Sequence, residues 1–315
     1  MIRPDLSTIK PAKKVQLEND AVKCFIDCIG NENVQPKVTG IDDKIFYIDN
    51  ALSESECKNL CSLIDSHKSL SFWSEGDHEK LEFKMFRNAN TIEVLSSEFV
   101  DRIWQRISTL VSHLIISVSE LDENNINHER ELVGDWDVCG LNENMLFARY
   151  PSFGSFAPHT DGRAIVNFNL RSFYSVIVYL NTVPKGMGAG TRFYESRACE
   201  ELKNVDVQGH TVWSADTSLV THEVDPVAGR LLIFHQSLVH EGVPPLEGFQ
   251  KYIIRSDVML KRRVPVCDTE TDRTAYSLFR QAEDLAESGS VDESVVLFKK
   301  ALKMSPTMAA FMGLG

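Results

Sequence analysis

Hydrophobic and polar positions alternate in two distinct rhythms along this chain. Residues 1–40 are polar and mixed, with one apolar patch at Val22-Lys23-Cys24-Phe25-Ile26 that reads as a loosely packed arm or an edge strand. Lys44–Ile48 reads as a short strand. Ser53 followed by Glu56 is a capping-box pattern, and Cys57, Leu60, Cys61 and Ile64 then recur at helical spacing. Phe99, Ile103, Trp104, Ile107, Leu110, Val111 and Leu114 predict a second helix, and the two are expected to back one face of a sheet. From about Met145 the period shortens. Met145–Tyr150, Phe173–Leu180, Arg192–Tyr194, Leu219–Val224, Leu231–Phe234 and Tyr252–Val258 are β-rich runs parted by Gly, Pro and Asn turns. They predict a closed or sandwich-like β architecture. After Pro265 the helical rhythm returns in Ala275, Leu278, Ala282, Leu285, Val295, Phe298, Ala301 and Leu302.

Composition narrows the class without naming a chemistry. A chain of 315 residues with 43% hydrophobic and 25% charged residues has room for a substantial core. A net charge of −12 argues against general attraction to nucleic acid or an anionic membrane and is compatible with a basic peptide partner. Met1–Leu6 lacks the apolar core of a signal peptide, and seven cysteines suit reduced thiols, so cytoplasm or nucleus is expected. Cys24/Cys28 and Cys57/Cys61 share an i, i+4 spacing, looser than structural zinc sites use, and are read as small apolar side chains.

The chemistry is concentrated in His159-Thr160-Asp161. In an extended strand, residues i and i+2 face the same side, so an imidazole and a carboxylate are presented together. A third ligand from His240, on a neighbouring strand, would complete the 2-His-1-carboxylate arrangement, which leaves one face of a metal open. His222 and His235 lie in the same β-rich half, and His235 directly follows an apolar run; His67, His78, His113 and His128 are expected at the surface. Lys251, Ile253, Arg255 and Asp257 share one strand face. If that face is inward, Asp257 offsets one cation, and a bound dicarboxylate would offset the other.

These segments, in this order, resemble the prolyl 4-hydroxylase branch of the 2-oxoglutarate/Fe(II) dioxygenases. The resemblance runs from about Ile41 to Val264. It is carried by Ala148–Gly162, by Val176–Asn181, by Gly188–Phe193, and by Gly229–Phe234 through His240 to Gly248–Tyr252. It implies a mainly β protein with flanking helices, built on a double-stranded β-helix (jelly roll). It also implies Fe(II) at His159, Asp161 and His240, with His240 preferred because it precedes Glu241-Gly242 and the Lys251 strand. 2-Oxoglutarate would be the cosubstrate, with L-ascorbate as accessory reductant. Lys251 would grip its distal carboxylate, Arg255 being the fallback because the loop after His240 is slightly long. Tyr150 and Tyr179 would bond its two ends. Gly188 and Gly190 are expected in a turn, and Arg163, Arg171 and Arg192 are candidates to frame the cleft. The implied reaction hydroxylates a prolyl residue of a polypeptide, releasing succinate and CO2. The alternatives are hydroxylation of a free amino acid or other small molecule, and a non-catalytic binding module.

The linear division is then an arm (1–40), a dioxygenase domain (41–265) and a helical hairpin (272–312). The hairpin resembles a tetratricopeptide repeat, with Ser294 at a usual alanine and Leu278 at a usual aromatic position. Its Leu278, Leu285, Phe298 and Leu302 side is expected against another surface: the catalytic domain, a second copy or a partner protein. Met308–Gly315 resembles the start of a further repeat, which would make the chain a truncated form. A chain ending near Asp268 is expected to keep its chemistry.

Overall fold

The structure, a computed structural model, describes residues 19–30, 34–76, 79–122 and 124–314. His78 and most of the N-terminal arm therefore lie outside the described residues. The helices are α1 (Asn19–Asp27), α2 (Glu54–Ser66), α3 (Leu81–Phe86), α4 (Ser97–Val111), α5 (Glu270–Glu287), α6 (Val291–Met304) and α7 (Pro306–Met312). The first strands are β1 (Lys37–Gly40), β2 (Ile45–Asp49), β3 (Ser71–Phe72), β4 (Asn90–Leu95), β5 (Ile115–Val118), β6 (Gly134–Leu141), β7 (Asn144–Tyr150), β8 (Phe156–His159) and β9 (Ile165–Asn167). The rest are β10 (Leu170–Tyr179), β11 (Thr191–Tyr194), β12 (Lys203–Val207), β13 (His210–Ser214), β14 (Val220–Val224), β15 (Leu231–His235), β16 (His240–Gly242) and β17 (Lys251–Arg262). The fold is mainly β with several helices, as the two rhythms predict. No helix among the described residues is long and apolar enough to cross a membrane.

Contacts group the chain into two units: residues 1–110, 141–162 and 174–258, and residues 111–140, 163–173 and 259–315. This grouping follows packing rather than chain order, because β10 and β17 each contribute residues to both units.

In the first unit, strands run in the order β2-β15-β10-β17-β7-β4 within the large sheet, and a four-stranded sheet runs β14-β11-β16-β8. Side chains from both sheets meet in one apolar cluster: Phe193 and Val224 from the smaller, and Ile177, Tyr179, Leu232, Phe234, Ile253, Ala148 and Tyr150 from the larger. Helices cover the other face of the large sheet, where Phe25 of α1 and Phe99 of α4 both contact Phe147 of β7. The patch Val22–Ile26 is thus helical, not an edge strand; Phe25 and Ile26 fall on the buried side of one turn. The Ser53/Glu56 capping box forms. Glu56 does more than cap: its buried carboxylate also accepts from Gly30 N and, bidentately, from Arg106.

The second unit is centred on Trp136, buried, with the guanidiniums of Arg171 and Arg262 over its ring. The expected two-helix tail is three helices. Tyr276 and Phe279 of α5, Ala301 of α6 and Met308 of α7 bury against Phe168, with Leu278, Phe298 and Leu302 only partly covered. Leu285 lies outside that cluster. The seam follows the aromatic residues because Ile165 of β9 and Phe168 just after it offer the surface they fill. Tyr276 Oη lies 3.2 Å from Nη2 of the buried Arg171. Ending the chain at Asp268 strips Phe168 of its cover and Arg171 of this partner. A clearly lower thermal midpoint, read by circular dichroism, is the expected result; an unchanged midpoint would show that these contacts contribute nothing.

Candidate functional site

Antiparallel pairing of β16 with β8 sets His240 opposite His159. Their rings lie 4.3 Å apart between centroids. Asp161, just past β8, is held by its amide N–H on Gln236 O (3.1 Å) and by Ser175 Oγ donating to its Oδ2 (2.5 Å). The two imidazoles are oriented alike: His159 Nδ1 sits 2.7 Å from Ala157 O, and His240 Nδ1 3.1 Å from Leu238 O. A carbonyl beside Nδ1 fixes the proton there and leaves the Nε2 lone pair free. Both Nε2 atoms face Asp161, at 3.6 and 3.7 Å from its oxygens. These separations exceed hydrogen-bond length, and one donor atom from each residue lies within 4.8 Å of the others. Two imidazoles and a carboxylate converging at this spacing fit a divalent transition metal.

The electrostatics agree with that fit. Burial first, and then the neighbouring His159, push His240 down to about 4, so it stays neutral as a ligand must. Burial alone would raise the Asp161 carboxyl. Arg255 most, then His240 and His159, outweigh it and hold the group well below the usual carboxylate range. His235 is buried but bonds Ser237 instead, and His222 is half-exposed with Asp42 3.9 Å away. Neither belongs to the cluster. Among the described residues no cysteine joins a group of metal-sized spacing.

Lys251 and Arg255 of β17 separate in role. Arg255 Nη2 lies 3.2 Å from Asp257 and 3.6 Å from Asp161, so it is doubly compensated. Lys251 is 2% exposed, pairs in register with Tyr150, and carries its ammonium 4.6 Å from that ring. It makes no hydrogen bond among the described residues. Burial pushes its ammonium down to about 7, opposed weakly by Glu241, whose carboxylate is already engaged by Arg192 and Ser214. Gly242 stands beside it; a Cβ there would come within 3.2 Å of Nζ. Tyr150 and Tyr179 are both buried in the cluster between the sheets. Burial raises both phenols; Arg87 opposes this at Tyr150, and Thr191, which accepts from Tyr179 at 2.6 Å, opposes it at Tyr179.

Arg87 was not legible as a site residue. It caps the short helix α3, in no motif, and reaches the site through an isolated bridge to Phe156. Its guanidinium lies 4.7 Å from the Phe156 ring centroid, and Phe156 stacks on His159 at 3.6 Å. It also interacts electrostatically with the Tyr150 phenol, Asp161 and Arg255. The three arginines expected to frame the cleft are instead structural. Arg163 bonds Glu129 and Asn127, Arg171 bonds Glu131 and Tyr276, and Arg192 bonds Glu223 and Glu241. The glycine turn is as expected: Gly188 has φ +76, and a Cβ there would meet Pro244 O at 2.1 Å.

Among solved structures, three similar ones are distant. A viral collagen prolyl hydroxylase from Paramecium bursaria Chlorella virus-1 is 17% identical, covering 70% of this chain and 99% of that one, with a TM-score of 0.40. A Trichoplax adhaerens prolyl hydroxylase, solved with a hypoxia inducible factor oxygen degradation domain peptide fragment, is 14% identical over 81% and 92%, at 0.42. HygX from Streptomyces hygroscopicus, with nickel and 2-oxoglutarate bound, is 11% identical over 78% and 88%, at 0.41. Scores of this size carry neither fold nor substrate to this chain. No curated protein matches it. The family comparison is direct: residues 145–256, from β7 through the first half of β17 and including the whole triad, match the 2OG-Fe(II) oxygenase superfamily model. Over those residues, about a third of the chain, the sequence is similar to that superfamily.

Proposed function

We propose that this protein is a 2-oxoglutarate- and O2-dependent hydroxylase acting on a prolyl residue of a polypeptide. Fe(II) would be held by His159 Nε2, an Asp161 oxygen and His240 Nε2. The observation that carries the reading is the convergence of both Nε2 atoms on Asp161, each fixed by a carbonyl at Nδ1. When bound, Fe(II) with 2-oxoglutarate and O2 supplies the oxidation that turns C–H into C–OH, with succinate and CO2 as coproducts.

The chain's own residues bind, orient and exclude water. Lys251 is the group we assign to the distal carboxylate of 2-oxoglutarate, since it is a buried cation that makes no hydrogen bond among the described residues, and charge-assisted hydrogen bonds would repay its desolvation. Arg255, compensated by Asp257 and Asp161, would hold Asp161 ionised and oriented. Tyr150 and Tyr179 would turn their phenols from Arg87 and Thr191 to the cosubstrate. The Phe156 ring against His159 keeps bulk water from one side of the triad. The prolyl target rests on the sequence blocks around the triad alone.

The test is incubation of the purified chain with Fe(II), ascorbate and 2-oxoglutarate, with and without proline-containing peptides. Succinate formation, and one added oxygen on a prolyl residue, are the expected results. Succinate without any peptide product would leave the hydroxylase and remove the prolyl target. Absence of succinate under all conditions would leave a binding module.

A further inference from the structure

The inner face of the four-stranded sheet is arranged in rows. In β16, His240 and Gly242 point the same way because a strand repeats every two residues. The register sets His159 and Phe193 beside His240, and Phe156 and Thr191 beside Gly242, with a register shift between the pairs on β8. One row therefore carries both histidines of the triad, and the next carries Phe156, Gly242 and Thr191. Rows two residues apart along a strand are separated by about 6.6 Å. The second row faces Lys251 of the larger sheet, whose Nζ would lie 3.2 Å from a Cβ on Gly242.

Gly242 has no conformational reason to be glycine. Its backbone lies outside the left-handed region, and it is paired on both sides as any strand residue can be. Glycine at such a position weakens a strand, and it often marks a close approach. The approach here is to one atom. Of the three heavy atoms nearest a Cβ at 242, Phe156 Cβ and N, at 3.5 and 3.6 Å, are ordinary contacts, and only Lys251 Nζ is crowded. That ammonium has little room to yield: Lys251 is 2% exposed, and Nζ lies 4.6 Å from the Tyr150 ring centroid. The other two members of the row are engaged elsewhere. Thr191 accepts from Tyr179 Oη, and the Phe156 ring is turned onto His159.

We propose that Gly242 is a specificity-determining residue, setting the length of the 2-oxo diacid that the site accepts. Bearing no side chain, it lets the Lys251 ammonium rest against β16 one row from the triad, and so fixes the reach between the metal-binding end and the cationic end. A diacid of matching length engages both ends. One carbon shorter or longer, it engages only one of them well. The inference rests on the reading of Lys251 as the group that takes the distal carboxylate, and adds what sets that group's position. An alanine at 242 leaves the donor atoms of the triad in place and moves only the far end of the reach.

Calorimetric titration of the full chain, loaded with Mn(II) in the absence of O2, tests this with oxaloacetate, 2-oxoglutarate and 2-oxoadipate, diacids of four, five and six carbons. The native chain should bind 2-oxoglutarate at least about tenfold tighter than either neighbour, the discrimination that one methylene supplies. Gly242→Ala should weaken 2-oxoglutarate about tenfold, as an added methyl in a packed site does, and narrow the preference to about threefold, with Mn(II) affinity unchanged. In a Lys251→Met background the same alanine should change 2-oxoglutarate affinity by less than about twofold, since the atom it crowds is gone. Native affinity and preference in Gly242→Ala, or its full effect persisting without the Lys251 ammonium, would overturn the proposal. So would a native chain indifferent to diacid length, which is read without any variant. If Lys251→Met alone left 2-oxoglutarate binding unchanged, the assignment of Lys251 would fall, and this inference with it.

Discussion

His240→Ala, His159→Ala and Asp161→Ala should each abolish Fe(II)-dependent succinate formation while the protein stays folded. Three donors are the minimum that holds a labile divalent ion with an open face, and removing one leaves two. The loss should appear first in binding: Mn(II) titration followed by electron paramagnetic resonance should show a bound ion in the native chain and none, or a far weaker one, in each variant. Turnover should fall by several decades, because the metal carries the oxidation. The variants differ in their structural side effects. Asp161→Ala leaves Arg255 with Asp257 alone, and His159→Ala removes the ring stacked on Phe156. His240→Ala is therefore the cleanest probe. His235→Ala and His222→Ala, whose Nδ1 atoms face Ser237 and Asp42, should retain metal binding. Full binding by His240→Ala, with loss in His235→Ala, would sink the assignment.

Lys251→Met should sharply raise the 2-oxoglutarate requirement and, in the same protein, raise its stability. Truncating one partner of a buried charge pair costs roughly 2–5 kcal/mol, or about thirty- to several-thousand-fold in affinity. Without cosubstrate, the ammonium is a cost. Its folded value of about 7 lies below the unfolded value near 10.4, so the unfolded chain binds the extra proton between those limits. Stability then rises with pH through that window, and the penalty is complete below about pH 7. Methionine removes it. The thermal midpoint of Lys251→Met should exceed that of the native chain most at or below pH 7, with the gap closing toward pH 10. Above pH 7 the free native site holds a neutral amine, so the concentration of 2-oxoglutarate for half-saturation should climb with pH in the native chain and not through this residue in the variant. If Arg255→Ala, not Lys251→Met, moves that concentration, the distal carboxylate belongs to Arg255.

Much of this was legible because local rules govern it. The Ser53/Glu56 box, the helix through Phe99 and Ile107, and the strands at Met145–Tyr150 and Leu231–Phe234 follow from periodicity and capping, which depend on neighbours in the chain. The five apolar-rich residues Val22–Ile26 fit a strand or a helix, and only the Phe147 surface chooses between them. The β12–β13 hairpin leaves little mark in the sequence because its strands alternate weakly, and its buried partners, Ala157 and Phe86, come from distant segments.

The same boundary runs through the site. His159 and Asp161 share a side because a strand repeats every two residues, a property of the backbone alone. Which histidine joins them depended on the register of β16 against β8, a pairing between segments 80 residues apart in which His235 and His222 had equal standing by composition. Arg87 entered only through the bridge to Phe156. Lys251 and Arg255 are alike in sequence, inward cations on one strand face. Their difference comes from neighbours across the fold: Asp161 and Asp257 reach Arg255, whereas Lys251 lies under Gly242 and Tyr150 with no carboxylate bonded to it. Sequence by itself determined the residue types and their facing. Tertiary structure decided which charges are compensated, because electrostatic energy depends on distance and burial, and neither is a property of the chain before it folds.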